Sequence, residues 1–230
     1  MPNHVSNEIK ITGQEERVAE FFAQAKSSPI VTGARQEELR EFSFCGFVPP
    51  PNDPDYTSNG CSHGHWGYER SGEIDPNPNC WYAWNPTNWG TKWDAYSVGI
   101  GREHTVLDRL ARADADASVV EETVQFQTAW APPTPVFKKI AELYPDCKFE
   151  FRWMNEDMYG HGGGYVHAAN GELGAETDRV NNPDCPETGA LWWALARELR
   201  GHTQAMHDDY LAEMAEDERL TAEAEAASNG

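Results

Sequence analysis

Residues 134–153, TPVFKKIAELYPDCKFEFRW, hold the pattern that decides the fold. Thr134 stands where a helix can be capped, Pro135 suits its first turn, and Val136, Ile140 and Leu143 recur at helical spacing. Pro145 stops that helix. Cys147, Phe149, Phe151 and Trp153 then alternate with Lys148, Glu150 and Arg152, which predicts a strand with one apolar and one charged face. Upstream, Val120, Val124, Phe126 and Thr128 predict another strand, so the region from Val120 to Met154 reads strand–helix–strand.

The same order occurs once more, nearer the amino terminus. Val5, Ile9 and Ile11 alternate with Ser6, Glu8 and Lys10, and Thr12 with Glu15 three residues on has the form of a capping box. Val18, Phe21, Phe22 and Ala25 form one helical face. Phe42, Phe44 and Val48 read as the second strand of this half, ended by three prolines at 49–51. Two βαβ halves with antiparallel neighbours predict an α+β ferredoxin-like antiparallel sheet packed with helices. The domain is expected over 1–175 with a loop or insertion at 49–118. Inside that stretch a helical turn through Trp84, a turn at Gly90, a strand from Trp93 to Ile100 and a helix through Val106, Leu107 and Leu110 are expected. Gly160 to Gly164 should turn into a last strand at Tyr165–Ala169. A long C-terminal acidic helical extension is expected over 186–230, with Gly201 a break. Its stripe of Trp192, Leu195, Leu199, Met206, Tyr210 and Met214 is expected to dock on the sheet or on a second copy, with a partner-binding helix as the alternative.

Charge narrows the function classes. Thirty-eight acidic residues against eighteen basic ones leave a net charge of -20. That field repels nucleic acid and anionic membrane, so direct nucleic-acid binding and membrane association are not expected. It keeps the surface solvated, or it fits a partner's nucleic-acid groove. The longest apolar run, near Ala190–Ala196, is too short for a bilayer. With a polar start and five widely spaced cysteines lacking a CxxC pair, a cytoplasmic location with reduced thiols is expected.

Trp81-Tyr82 and the block Asn88-Trp89-Gly90-Thr91-Lys92-Trp93-Asp94-Ala95 resemble the hallmark of the YubB-like proteins of bacterial plasmids and phages. Phe126-Gln127-Thr128-Ala129-Trp130-Ala131-Pro132-Pro133-Thr134-Pro135-Val136, leading to Tyr144-Pro145, resembles the same family, as do Met1-Pro2-Asn3, Ser6-Asn7 and Ile11-Thr12-Gly13. The resemblance covers roughly the first 170 residues. It implies a ferredoxin-like domain in a mobile-element protein and carries over no catalytic residue. Arg102–Ser118 and the acidic tail depart from the family pattern.

Several residues are candidates for chemistry. Trp89, Lys92, Trp93, Asp94, Trp130 and Glu156 read as a binding surface, because indoles offer stacking area and a donor N–H. The competing and preferred reading is packing, with Trp89, Trp93 and Trp130 plugging the sheet and Lys92 paired with Asp94 or Glu156. Cys61, His63, His65 and Cys80 are zinc-competent ligands, but their spacing lacks the paired ligands of a zinc finger. No cofactor is therefore expected, with zinc the alternative. Asp94, Glu156, Asp157 and His161 are the acid–base candidates, and no nucleophile-elbow, phosphate-loop or HExxH motif accompanies them. Phe149, Phe151 and Trp153 lie on one strand face, as core residues do, and not as a base-stacking platform.

The expectation from these features is a non-enzymatic binding protein of a phage or plasmid. It would act on a host protein or complex, as an antagonist of bacterial defence or of nucleic-acid processing, with self-association through the C-terminal helix as a further mode. The alternative is a small-molecule or nucleotide-processing enzyme with an aromatic-lined pocket.

Overall fold

Period-two alternation around Ile9 builds the centre of the sheet. The computed structural model describes residues 3–26, 40–51, 81–101 and 119–228. Strand β1 (His4–Gln14) runs into helix α1 (Glu15–Ala25); helix α2 (Trp81–Asn88), strand β2 (Tyr96–Gly101), strand β3 (Val119–Ala129), helix α3 (Thr134–Leu143) and strand β4 (Lys148–Asn155) follow. The sheet order β2-β3-β1-β4, antiparallel at every step, is the ferredoxin-like arrangement, so the expected α+β class holds. Strand β5 (Gly163–Ala169) extends it beside β4, and the short β6 (Glu172–Leu173) and β7 (Thr177–Val180) both pair with β5. The sheet therefore reaches Val180, beyond the boundary expected at 175.

One sheet face is apolar because the odd-numbered residues of β1 and β4 point the same way. Ile9 lies opposite Val124 and Phe151, and Ile11 opposite Phe149. Helices α1 and α3 close over them. Phe137 stacks on Phe151 at 4.3 Å between ring centroids, and Phe21 sits 6.0 Å from Phe149. These aromatics are core, with their faces turned away from solvent, as the alternation predicted. On α3 the buried residues are Val136, Phe137, Ile140 and Ala141, while Leu143 is exposed. Its cap position is Pro133, with Thr134 already in the first turn.

Two local expectations are corrected. Phe42, Phe44 and Val48 do not form a strand: Phe44–Gly46 is a 3-10 turn, and the strand that pairs with β3 is β2. The turn wins because its polar groups are satisfied locally. Ser43 Oγ accepts from the Cys45 N–H at 3.1 Å, and Asp94 takes the Phe44 N–H at 2.8 Å, so no ladder is needed. Phe42 and Phe44 still reach the core, Phe42 stacked on Phe126 at 4.9 Å. The Thr12–Glu15 capping box is also absent. Thr12 remains in β1, and the α1 cap position is Gln14 with no side-chain bond.

The second face of the sheet is covered at one end by helix α4 (Gly189–Arg200). Met154 and Val180 pack with Trp192, Leu195 and Ala196. Beside them lies a buried ion network. Arg152 binds Glu8 on β1 and reaches Glu198 on α4 at 2.5 Å, while Gln125 donates to the other Glu8 oxygen at 2.8 Å. Gly201, at φ +65°, ends α4. Its N–H bonds to Arg197 O, the closure of an αL cap, and the His202 N–H reaches Ala196 O, both at 3.0 Å. Helix α5 (Gln204–Ser228) follows. The expected single stripe is thus divided: Trp192 and Leu195 are buried, whereas Met206 and Met214 are exposed. Among the described residues no helix is long and apolar enough to cross a membrane.

Candidate functional site

Four stretches distant in sequence meet at one end of the sheet. Antiparallel pairing puts the start of β1, the end of β3, the start of β2 and the residue after β4 side by side. His4 lies opposite Ala129, Val5 opposite Asn155, and Tyr96 opposite Gln127. Gly90, at φ +79°, turns the chain after α2, where a Cβ would come within 2.7 Å of Pro135. Thr91 then docks on the end of β3, donating to Ala129 O at 2.6 Å and accepting from Ala129 N at 3.2 Å. The Lys92 N–H reaches the same carbonyl at 3.2 Å.

What this scaffold presents is an indole–ammonium–indole platform. Lys92 Nζ lies 5.2 Å from the Trp93 ring centroid and 4.6 Å from that of Trp130, cation–π range for both. Trp93 is 38% and Trp130 42% exposed, so both indoles face solvent. Trp130 has φ +82°, a left-handed conformation that bulky residues rarely adopt. Its N–H is fixed on Asn3 O at 2.8 Å, which holds the unusual backbone in place. Such outliers persist only where surrounding bonds over-determine them, and they cluster at functional surfaces.

Sequence reasoning grouped six residues here, and the structure separates them. Trp89 is core: it is buried against Trp84 and Phe44, and its indole N–H donates to Val48 O at 2.9 Å. Trp93 and Trp130 do not plug the sheet, which corrects the packing reading for these two. Lys92 does not pair with Asp94 either. Asp94 is bound by Arg40 at 3.1 Å, Ser43 Oγ at 2.7 Å, and the Phe44 and Ala95 N–H groups at 2.8 Å each. Burial pushes its carboxyl upward, opposed by those hydrogen bonds and by Arg40. Asp94 is thus a structural tie between the Phe44 turn and β2. Glu156 is exposed at the rim, its N–H bonded to His4 O at 2.8 Å. Asp157 and His161, the other acid–base candidates, bond each other at 2.9 Å in an exposed turn that Asp157 also caps through Gly160 N. Cys61, His63, His65 and Cys80 lie outside the described residues, as does the whole of Arg102–Ser118 with the helix expected there. Among the described residues no group of three or more His, Cys, Asp or Glu side chains is placed to hold a metal.

The rim includes two residues that the sequence did not single out. Tyr96 packs edge-on against Trp93 at 6.2 Å and donates to Thr128 O at 3.0 Å. With its proton so used, it accepts from His4 Nδ1–H, which fixes that ring's tautomer. Burial, then the charge of Glu156, push its phenol up, so it stays protonated. A second unforeseen cluster anchors α5. Tyr159 Oη bonds His202 Nε2 at 3.2 Å and His207 Nδ1 at 2.8 Å, and its ring stacks on Tyr210 at 3.8 Å. His202 and His207 are both buried, and His202 Nδ1 has no partner. No sequence signal marked either set, because their members lie far apart along the chain.

Fold and site together define a ferredoxin-like α+β protein that carries an exposed indole platform at one sheet end. Residues 111–184 match the model of a family described as the ferredoxin-like domain in Api92-like protein, a span that includes β3, α3 and β4 to β7. The crystal structure of protein api92 from Yersinia pseudotuberculosis aligns over 78% of this chain and 98% of that one, at 9% identity and a TM-score of 0.45. No curated protein matches.

Proposed function

We propose that the chain is a non-enzymatic binding protein that docks on a partner protein through Trp93, Lys92 and Trp130. The observation that carries this reading is Trp130, a strained residue that is nonetheless 42% exposed. A residue of pure packing would be buried, and a residue of no role would be small. Tryptophan and lysine-flanked indoles held rigid in the free protein suit interface anchors, because little ordering remains to be done on binding. The enzyme reading is weaker. It needs Trp89, Trp93, Asp94 and Glu156 around one pocket, whereas Trp89 is core and both Asp94 oxygens are occupied.

The biological setting follows the resemblance to YubB-like proteins: a phage or plasmid protein inside a bacterial cell, antagonising a host defence or nucleic-acid-processing complex. Parts of the three resembling stretches, Asn3, Thr91–Trp93 and Ala129–Trp130, meet at the platform end of the sheet, whereas Ile11–Gly13 lies at its other end. The test is affinity capture from bacterial lysate with the wild type and a Trp93→Ser/Trp130→Gly variant checked for folding. The same host protein should be enriched by the wild type and lost with the variant. A captured set that the double substitution leaves unchanged would sink the proposal.

A further inference from the structure

Arg17, Arg40, Arg152 and Arg219 each reach a carboxylate at 3.1 Å or less. Arg200 differs. It is half-buried at the end of α4, and its guanidinium donates to a neutral group, Ser6 Oγ, at 3.1 Å. Among the described residues it makes no ion pair, not even with Glu156 at the nearby rim, in a chain that carries thirty-eight acids. The negative end of a helix accounts for a basic residue in its last turn, as it does for the exposed Arg197. It does not account for folding that residue down onto the sheet. Most of the N–H donors of the Arg200 fork are left unused, and such a fork matches a carboxylate.

The sheet carries this cation to the edge of the indole platform. Ser6 and Tyr96 both lie opposite Gln127, so β1, β3 and β2 present them on one face. His4, two residues and about 7 Å along β1 from Ser6, shares that face and bonds the Tyr96 hydroxyl. Tyr96 in turn packs edge-on against Trp93. Burial and the charge of Glu156 push the Tyr96 phenol up, and the charge of Arg200 pulls it back, so the guanidinium is felt there. We infer that Arg200 binds an acidic side chain of the partner, a glutamate or aspartate next to an apolar or aromatic residue that covers Trp93. This rests on the platform reading and adds the chemistry of what docks there. The net charge of -20 disfavours any acidic ligand, so a preference for one requires a local cation.

The probes are the peptides acetyl-Trp-Glu-amide and acetyl-Trp-Gln-amide, which match in shape and differ in charge. Each is titrated against the full chain at low salt and followed by heteronuclear NMR at the Arg200 Nε–H and the Trp93 and Trp130 indole N–H groups. The glutamate peptide should bind about fivefold more tightly than the glutamine peptide, and Arg200→Gln should remove that preference. Arg200→Lys should keep part of it, and Glu156→Gln should enlarge it. Equal binding of the two peptides by the wild type, or binding of neither, would overturn the assignment. So would a preference that survives Arg200→Gln and is lost in Lys92→Gln, because the platform lysine is then the group that binds the acid. The two proposals fail separately. Indole signals that shift equally with both peptides would leave the platform standing without Arg200. A glutamate peptide that binds the Trp93→Ser/Trp130→Gly variant as tightly as the wild type would keep Arg200 as a carboxylate site and sink the platform.

Discussion

Trp130→Gly and Trp130→Ala together test whether the platform stores backbone strain. Both remove the indole and its cation–π contact with Lys92, worth about 0.5–1 kcal/mol at an exposed site. They differ at φ +82°, where alanine retains the left-handed penalty of about 1–2 kcal/mol and glycine does not. Glycine gives back about 0.5 kcal/mol through the greater freedom of its unfolded chain. The glycine variant should therefore be about 1 kcal/mol more stable than the alanine variant and close to the wild type. Urea unfolding followed by circular dichroism reads the difference as a displaced midpoint at unchanged slope. Platform binding should be lost in both variants alike, which separates the stability effect from the functional one. An alanine variant as stable as the glycine variant would refute the claim that Trp130 is strained.

Asp94→Ala strands the Phe44 and Ala95 N–H groups, the Ser43 hydroxyl and Arg40, and should cost about 2–4 kcal/mol in chemical denaturation. Asp94→Asn, which keeps an acceptor, should cost less. Arg152→Ala leaves Glu8 buried without its cation and should cost about 3–5 kcal/mol, part of it recovered in Glu8→Gln/Arg152→Ala. Burial, then His207, hold His202 below its ordinary value. The unfolded chain thus binds a proton, from about pH 6.5 downward, that the folded chain resists, and stability falls as pH drops through that range. Urea midpoints at pH 7.5 and 5.5 should differ for the wild type and converge for His202→Phe. A midpoint that rises on acidification would contradict a His202 held below its ordinary value by burial.

The second βαβ half was legible because β3, α3 and β4 carry strong periods of two and 3.6. The first half was legible only in its first two elements. Strand β2 is a half-buried edge of YSVGIG, with alternate residues exposed and two glycines, so its signal is faint. Phe42, Phe44 and Val48 looked more like a strand than β2 did. What overrode them was Asp94, fifty residues away, which satisfies the Phe44 N–H and makes a turn preferable to a ladder. At the site, the Trp89–Asp94 block was visible, but not which indole would be buried. That depends on the left-handed turn at Gly90 and on Trp130 adopting a conformation that no residue near it announces. The Tyr159–His202–His207 cluster joins a turn to two helices, and spacing along the chain carries no trace of such a meeting.

The platform's position sets it apart from the connection between β2 and β3. Trp93 precedes β2 and Trp130 follows β3, and because these strands are antiparallel neighbours the two residues share one end of the sheet. The connection between the strands, 102–118, joins Gly101 to Val119 at the other end. A change in that connection is therefore separated from the platform by the length of the β2–β3 pairing, which runs from Tyr96–Gln127 to Gly101–Thr123. Replacing 102–118 with a Gly/Ser linker of about eight residues should leave Lys92 and Trp130 in place, since Ala129 O and Asn3 O hold their N–H groups and neither lies in the replaced stretch. Capture of the platform's partner should survive that replacement and fail on Trp130→Gly. If the reverse were found, the docking surface would lie at the insertion, and the strain at Trp130 would need a purely structural cause.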